Sequence, residues 1–399
     1  MDFSGIFCYT IVTNRPRKGE YPMDCNSAIL FLPDDIALTK EKTPLMLQSV
    51  WFCPVLTWTC AELTNSGIER LFVVSDQTVH ETIKPYLPAR AVLIDGAHHA
   101  SELLDALKGE DGGVLVLNGV VLPVGVFSGG AVYRAKAEAV RKVLRDHGAF
   151  AAFPEGAEIE KGFLPVGDEE ELRAALPMCR QKILQKHLDA GVTILDTNNC
   201  YIDPRVTIGA GTVILPGTIL RGETVIGENC TIGPNAMLTD CTVGHDTEVN
   251  ASQATESRIG NHTNVGPFAY MRPNSVVGDH VKVGDFVEIK NSVIGNGTKI
   301  SHLTYVGDSD VGERVNFGCG TVTSNYDGFK KYRCTIGDDV FIGCNTNLVA
   351  PVALGNGSYT AAGSTITKDV PADALGVARE RQVNLDGWAA KNRERKRKK

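Results

Sequence analysis

The sequence predicts a two-part molecule: an α/β domain built on a Rossmann-type sheet, followed by a parallel β-helix of hexapeptide repeats. Three observations carry this expectation. At 399 residues the chain is too long for one ordinary core. Its first half alternates short apolar runs with helical patterns, the signature of strands joined by crossover helices. From Ile202 onward aliphatic residues recur every six positions, a period that fits neither an α-helix nor a simple strand.

Residues 1–22 show no periodic pattern, and 1–23 read as an extension; Met23, just ahead of the first strand, is an alternative natural start. Residues 24–176 read as the α/β domain. Its strands are expected over Ala28–Leu32, Arg70–Val74 and Gly113–Leu117, and its helices over Val50–Asn65, Val79–Leu87 and Val132–His147. Residues 177–200 read as connector helix and linker, with Pro177–Leu188 helical and proline in its first turn, where a missing N–H does no harm. The β-helix is expected over 201–375, and a basic tail over 376–399.

In the second half the repeat runs Ile202, Ile208, Ile214, Leu220, Ile226, Ile232, Leu238 without a break. It resumes at Ile259, Val265, Met271, Val277, Val283, Ile289, and again at Ile336, Ile342, Leu348, Leu354, Thr360, Ile366. Each hexad should form one side of a triangular coil with its aliphatic residue on the axis. Glycine often follows that residue, as at Gly209, Gly227 and Gly260, and is read as easing the backbone round the corner. The left hand of the coil is that of known hexapeptide-repeat proteins, which commonly form trimers. Residues 323–335 interrupt the repeat. Polar, basic and aromatic, with an Asp327-Gly328 turn signal, they should be thrown out as a loop.

Composition narrows the function classes. Hydrophobic residues make up 43% and charged residues 22%, the balance of a soluble globular protein. There is no apolar run long enough to cross a membrane, and no basic start followed by an apolar stretch. The eleven cysteines contain no CxxC pair, which suits reduced thiols in the cytoplasm rather than disulfides or zinc. A net charge of −7 argues against non-specific nucleic-acid binding, so an anionic ligand would need a local cluster of cations.

Such a cluster is present. Arg272 follows Met271 and Lys290 follows Ile289, one coil of 18 residues apart, so the two should stand one above the other. Like charges at the coil spacing of about 4.8 Å repel by roughly a few kcal/mol. A bound phosphate would reverse that sign, since Arg binds it bidentately and Lys as a point charge; the other reading is two solvated cations splayed apart. Arg221 has no such partner, because Thr239 stands one coil later. His302 should face outward. It is either a general base or an exposed histidine without a role, and spacing alone does not set it beside the cations. His262 and His280, one coil apart, could stack, but His302 breaks their register, so no metal site is expected.

Several strings are far more specific than a generic repeat: Gly266–Pro273 (GPFAYMRP), Val281–Lys290 (VKVGDFVEIK), Ser301–Asp308 (SHLTYVGD), Gly318–Gly328 (GCGTVTSNYDG) and Ile336–Gly343 (IGDDVFIG). They closely resemble the C-terminal domain of the bifunctional N-acetylglucosamine-1-phosphate uridyltransferase / glucosamine-1-phosphate acetyltransferase family. The resemblance covers about residues 177–390. It implies N-acetylation of glucosamine 1-phosphate by acetyl-CoA, in the UDP-N-acetylglucosamine pathway that feeds cell-wall peptidoglycan. It also implies a homotrimer with the site between subunits, in the cytoplasm, without membrane or nucleic-acid partners. By the same resemblance His302 is the catalytic base. Arg272, Lys290, Tyr305, Asn316 and Lys331 contact the sugar phosphate, and Cys319, Asn325, Tyr326, Cys344, Ala362 and Arg379 contact acetyl-CoA. Cys319 and Cys344 stand where the family often has alanine and serine.

The first half departs from the same family, whose glycine-rich phosphate loop has the form LAAGxGTRM. Here Leu30–Lys42 has no glycine and carries Asp34 and Asp35 where phosphate would approach, with Lys40 and Lys42 beyond. Val120 stands where the family's metal-binding aspartate follows a strand and a glycine. This half therefore reads as a reduced, degenerate nucleotidyltransferase-like domain whose uridyltransferase activity is lost, and Mg²⁺ would be needed only if that activity survived. Two alternatives remain: a fully bifunctional enzyme, and a non-catalytic assembly or regulatory subunit. The basic run Lys391–Lys399 is either a segment that reaches a nucleic acid or an acidic surface, or a solvated end near the CoA phosphates.

Overall fold

The structure, a computed structural model, describes residues 25–32, 43–125, 131–148 and 153–397. The extension 1–23, together with Asp34, Asp35, Lys40 and Lys42, lies outside the described residues. The chain divides into two compact units that meet between Ile183 and Leu184.

The first unit is built on β1 (Cys25–Phe31), α1 (Val55–Asn65), β2 (Arg70–Ser75), β3 (Ala91–Asp95), α2 (His99–Ala106), β4 (Gly113–Asn118), β5 (Val132–Lys136), α3 (Ala137–His147) and β6 (Glu158–Ile159). The sheet order is β3-β2-β1-β4-β5-β6. Strands β1 to β4 pair in parallel, and β5 and β6 add antiparallel edges. Buried on both faces, β1 and β4 are near-continuous apolar runs, as parallel central strands must be. The three expected strands are present, while β3 and α2 were not anticipated. Three expected helices are corrected. Residues 49–54 form a hairpin rather than the start of α1, turning at Trp51 and Phe52 with φ of 48° and 75°. Residues 77–86 break into single turns around Pro85. Val132–Lys136 is strand, because its side chains alternate between the core and the outer face while its backbone pairs with β4.

The connector differs as well. Helix α4 runs over Glu169–Asp189 with Pro177 in its interior, so it starts eight residues before the expected helix. Asp168 caps it, accepting from the N–H groups of Glu170 and Glu171 at 2.8 and 2.9 Å. Pro177 removes one helical bond, while buried Leu172, Ala175, Cys179 and Ile183 hold the helix in place.

The second unit is a left-handed parallel β-helix with three faces, here face 1, face 2 and face 3, of eleven, ten and nine strands among the described residues. Each strand pairs with the strand one coil on. Ile202↔Leu220 and Ile208↔Ile226 keep the period of 18, whereas Ile232↔Val249 and Ile289↔Val306 are 17 apart. Still shorter coils account for the break after Leu238, where Leu238↔Ala254 and Val243↔Ile259 are 16 apart. The stretch Ile294, Ile300, Val306, Val311, Phe317, outside the series read from sequence, is also axial and buried.

The role assigned to the glycines is corrected. Gly209, Gly227 and Gly260 do not have positive φ; the left-handed corner residues are Gly211, Asn229, Asp246, His262 and their equivalents. A Cβ on Gly209 would lie 2.6 Å from the Gly227 carbonyl carbon, so these glycines permit close stacking of coils. His262 and His280 do stack, with ring centroids 4.9 Å apart and planes 9° from parallel.

Candidate functional site

On face 2 the pairings Tyr270↔Glu288 and Met271↔Ile289 set Arg272 and Lys290 one coil apart, as expected. Their side chains do not face each other as bare cations. Arg272 Nη1 lies 3.0 Å from Glu288 Oε1, and Lys290 Nζ lies 3.5 Å from Asp308 Oδ2. The repulsion expected from spacing alone is therefore offset by two carboxylates that sequence reasoning missed. The signal was available, since Glu288 alternates outward on the same strand as Lys290, and Asp308 follows Gly307, the register partner of Lys290.

Asp308 is the hub of this cluster. Burial works against its charge, but hydrogen bonds from Asn291 (2.5 Å) and Asn325, with Lys290 beside it, hold the carboxyl below its usual range. Asn325 also donates to the Tyr305 hydroxyl at 3.4 Å. Its side chain is thus buried and engaged with the cation cluster.

The loop brings in a third cation. Coil pairing jumps from Val322 to Asn347; the excursion spans 325–333, shorter than the 323–335 expected, because Thr323, Ser324 and Thr335 stay in coil strands. Asp327 Oδ1 accepts from Phe329 and Lys330 N–H, both at 2.8 Å, and Tyr326 bridges Lys331, closing a small hairpin. That hairpin sets Lys331 within hydrogen-bonding reach of Lys290, whose ammonium holds Lys331 below the usual lysine range. Asp308 beside Lys290 favours the charged ammonium and raises it. Arg333 anchors the returning strand on Asp310 (2.5 Å) and on the Asn291 carbonyl (3.0 Å). Tyr326 and Phe329 stand exposed at the tip.

His302 lies at the end of a face 1 strand, where Asp285↔His302 are register partners. Its Nδ1 is 2.5 Å from Asp285 Oδ1. The hydrogen bond from His302 holds the Asp285 carboxyl below its usual range. A carboxylate on Nδ1 fixes the ring and leaves Nε2 as the free basic nitrogen. Asp285 is the third carboxylate missed from sequence, and the 17-residue coil is what hid it.

The other expected site residues divide by face. Asn316 lies on face 1, between Lys299 and Phe341, while the cations lie on face 2. Cys319 is half-buried and Cys344 exposed, both near the corner where face 1 turns into face 2. Ala362 is exposed at the same corner, and the Arg379 side chain runs past the adjacent Gly363. Arg272, Lys290, Tyr305, Asn325 and Lys331 therefore come together. His302, Cys319, Cys344 and Ala362 line the neighbouring corner. In the first unit, Val120 is 4% exposed and packs in the core, Asp76 caps its own turn, and Asp95 holds Ala97 N–H and His98.

The coil is similar to the bacterial transferase hexapeptide family, whose six-repeat model matches residues 256–291 and 333–368. More particularly, the chain is similar over part of its length to bifunctional protein GlmU. It is 54% identical over 230 residues to that of Clostridium perfringens (58% of this chain, 51% of the relative). It is 48% identical over 249 residues to that of a Geobacillus species (62% and 54%). The chain spans about half the length of the curated relatives it matches. Among solved structures, an Arabidopsis UDP-N-acetylglucosamine acyltransferase is 20% identical over 50% of this chain and 71% of its own, with a TM-score of 0.29. No helix among the described residues is long and apolar enough to cross a membrane.

Proposed function

We propose that the chain is an acetyl-CoA-dependent acyltransferase that N-acetylates glucosamine 1-phosphate. The observation that carries this reading is the cluster of Arg272, Lys290 and Lys331 round Tyr305 and Asn325, one corner away from the His302–Asp285 pair. Three cations converging on one surface suit a phosphate dianion. In the step proposed, the substrate amine attacks the thioester carbonyl, His302 Nε2 takes the amine proton, and the coenzyme thiolate leaves. Asp285 holds the imidazolium that forms. The acetyl-CoA strip is the corner of Cys319, Cys344 and Ala362, with Arg379 beside it and Tyr326 at the loop tip.

Cations and base lie on different faces of one chain, which favours a homotrimer whose subunits complete one another's sites. Phe268, Phe286 and Leu303 support the same assembly. They sit at one corner with φ of 58°, 56° and 46°, and are 61%, 58% and 56% exposed. Bulky residues in left-handed backbone cost roughly 1–3 kcal/mol each; Phe268 and Phe286 stack on each other, ring centroids 5.5 Å apart, yet all three side chains stay more than half exposed.

For the first unit the proposed reading is loss of uridylyl transfer. The residues do not fit a Mg²⁺ site: Val120 offers a buried isopropyl group where a carboxylate would be needed. One assay pair tests the whole reading. Purified protein should release free thiol from acetyl-CoA with glucosamine 1-phosphate. It should release no pyrophosphate from UTP with N-acetylglucosamine 1-phosphate and Mg²⁺. Pyrophosphate turnover would make it bifunctional; no thiol release with any amino-sugar phosphate would leave a non-catalytic subunit.

A further inference from the structure

One column of side chains is not explained by base and cations alone. The position two residues past the axial side chain carries Asp285, His302, Cys319, Cys344 and Ala362 in successive coils. The axial residues themselves, Val283, Ile300, Phe317, Ile342 and Thr360, pair in register. Asn345 N–H donates to the Cys319 carbonyl at 2.8 Å, the same bond by which Leu303 N–H reaches the Asp285 carbonyl (2.9 Å) across the Asp285–His302 pair. Cys319 and Cys344 are thus register partners on adjacent coils.

Adjacent strands lie about 4.8 Å apart, within the Cα separation of about 4.4–6.8 Å that a disulfide spans. The Cβ atoms must close to about 4 Å. Both cysteines border the corner, next to Gly320 and Asn345 at φ of 78° and 52°, where the regular ladder ends. Every other free cysteine among the described residues is buried. Burial pushes the Cys334 thiol up to about 11 and those of Cys60 and Cys179 up to about 12, which keeps them protonated and inert. Among the described residues no three His, Cys, Asp or Glu side chains are grouped to hold a metal ion, so the column does not read as a metal site.

We infer that Cys319 and Cys344 are an oxidisable dithiol that a hydroperoxide closes into a disulfide between two adjacent coils. The Cys344 thiolate attacks one oxygen of hydrogen peroxide, the O–O bond breaks, and the other oxygen leaves as hydroxide and is protonated to water. The resulting sulfenic acid is attacked at sulfur by the Cys319 thiolate, and its oxygen leaves as a second water. Two thiols and one peroxide thus give one disulfide and two waters. The consequence rests on the acetyl-CoA reading above: the bond lies between His302 and Ala362 on the coenzyme strip, so oxidised protein loses acetyl transfer and a dithiol reductant restores it.

The test uses full-length, reduced protein treated with equimolar hydrogen peroxide. Free thiols are then alkylated, the protein is digested without reductant, and the peptides are weighed. The expected product is a Cys319–Cys344 linked peptide lighter by two hydrogens, absent from Cys344→Ser. Acetyl-CoA turnover should fall at least about tenfold and return with dithiothreitol. Relative to its own untreated rate, Cys344→Ser should not respond to peroxide. Sulfinic acid on Cys344 with Cys319 still alkylated overturns the proposal. The mass readout decides the disulfide whether or not the protein acetylates amino-sugar phosphates. A linked protein with undiminished turnover would overturn the gating consequence alone.

Discussion

At the scale of the residue, the site depends on carboxylates set against its functional groups. Arg272 and Lys290 each lean on an acidic neighbour and still present a cationic surface with Lys331. Arg272→Ala and Lys290→Ala should each weaken use of glucosamine 1-phosphate about tenfold to a hundredfold, since charge-assisted hydrogen bonds contribute roughly 1.5–3 kcal/mol. Circular dichroism should stay unchanged. Equal rates on glucosamine without its phosphate would remove the case for a phosphate clamp. Lys290 should be the costlier loss, because its removal leaves Asp308, the more deeply buried carboxylate, without its cation. At His302, alanine should lower turnover by roughly 10²–10⁴. Asp285→Asn keeps the size of the side chain but accepts a weaker bond from the ring, so its loss should be smaller. That loss should fall on kcat and leave the KM for acetyl-CoA unchanged, because Asp285 orients the ring rather than holding the coenzyme. An unchanged kcat would show that Asp285 does not act through the imidazole.

At the scale of the element, α4 carries a built-in sensitivity to acid. His187 is 2% exposed, and burial pushes its imidazole down to about 3. A group whose folded pKa is depressed contributes stability that is present above its unfolded value, about 6.5 for histidine. That contribution is lost as pH falls toward the folded value. Thermal unfolding of the full chain should therefore weaken progressively from about pH 6.5 down toward pH 3. His187→Gln should flatten the upper part of that slope, between about pH 6.5 and 4.5, where carboxylates such as Asp308 are still ionised. An unchanged slope in that window would mean that His187 is solvated in solution. The loop at 325–333 works by a different device. Its Asp327 turn and its Tyr326–Lys331 bridge make it a small hairpin, so Lys331 is delivered to Lys290 by local hydrogen bonds.

At the scale of the whole molecule, the proposed trimer would cover the strained corner of Phe268, Phe286 and Leu303. Asparagine tolerates left-handed backbone, so Phe286→Asn relieves strain while it removes apolar contact area. Light scattering should report a trimer for the parent. The variant should dissociate at lower dilution and lose acetyl transfer in step with dissociation. A parent that is monomeric and fully active would contradict the shared site.

The six-residue period from Ile202 determined the coil, and with it the stacking of Met271 on Ile289 and of His262 on His280. Alternating apolar runs determined three strands of the first sheet. The family-like strings named residues that the fold does bring together: Arg272, Lys290, Tyr305, Asn325 and Lys331. What the tertiary structure alone decided depends on chain length between neighbours. A coil of 17 residues rather than 18 sets Asp285 on His302, and a nine-residue excursion sets Lys331 on Lys290; neither neighbour can be counted from a fixed period. The counter-charges of Glu288 and Asp308 follow from the direction side chains take once strands are stacked. The glycines were visible in sequence but not their reason, because a clash with the next coil exists only when that coil is in place. A helix begun at Asp168 and carried through Pro177 shows the same cause: the cap and the buried face of α4 outweigh the one bond that proline removes.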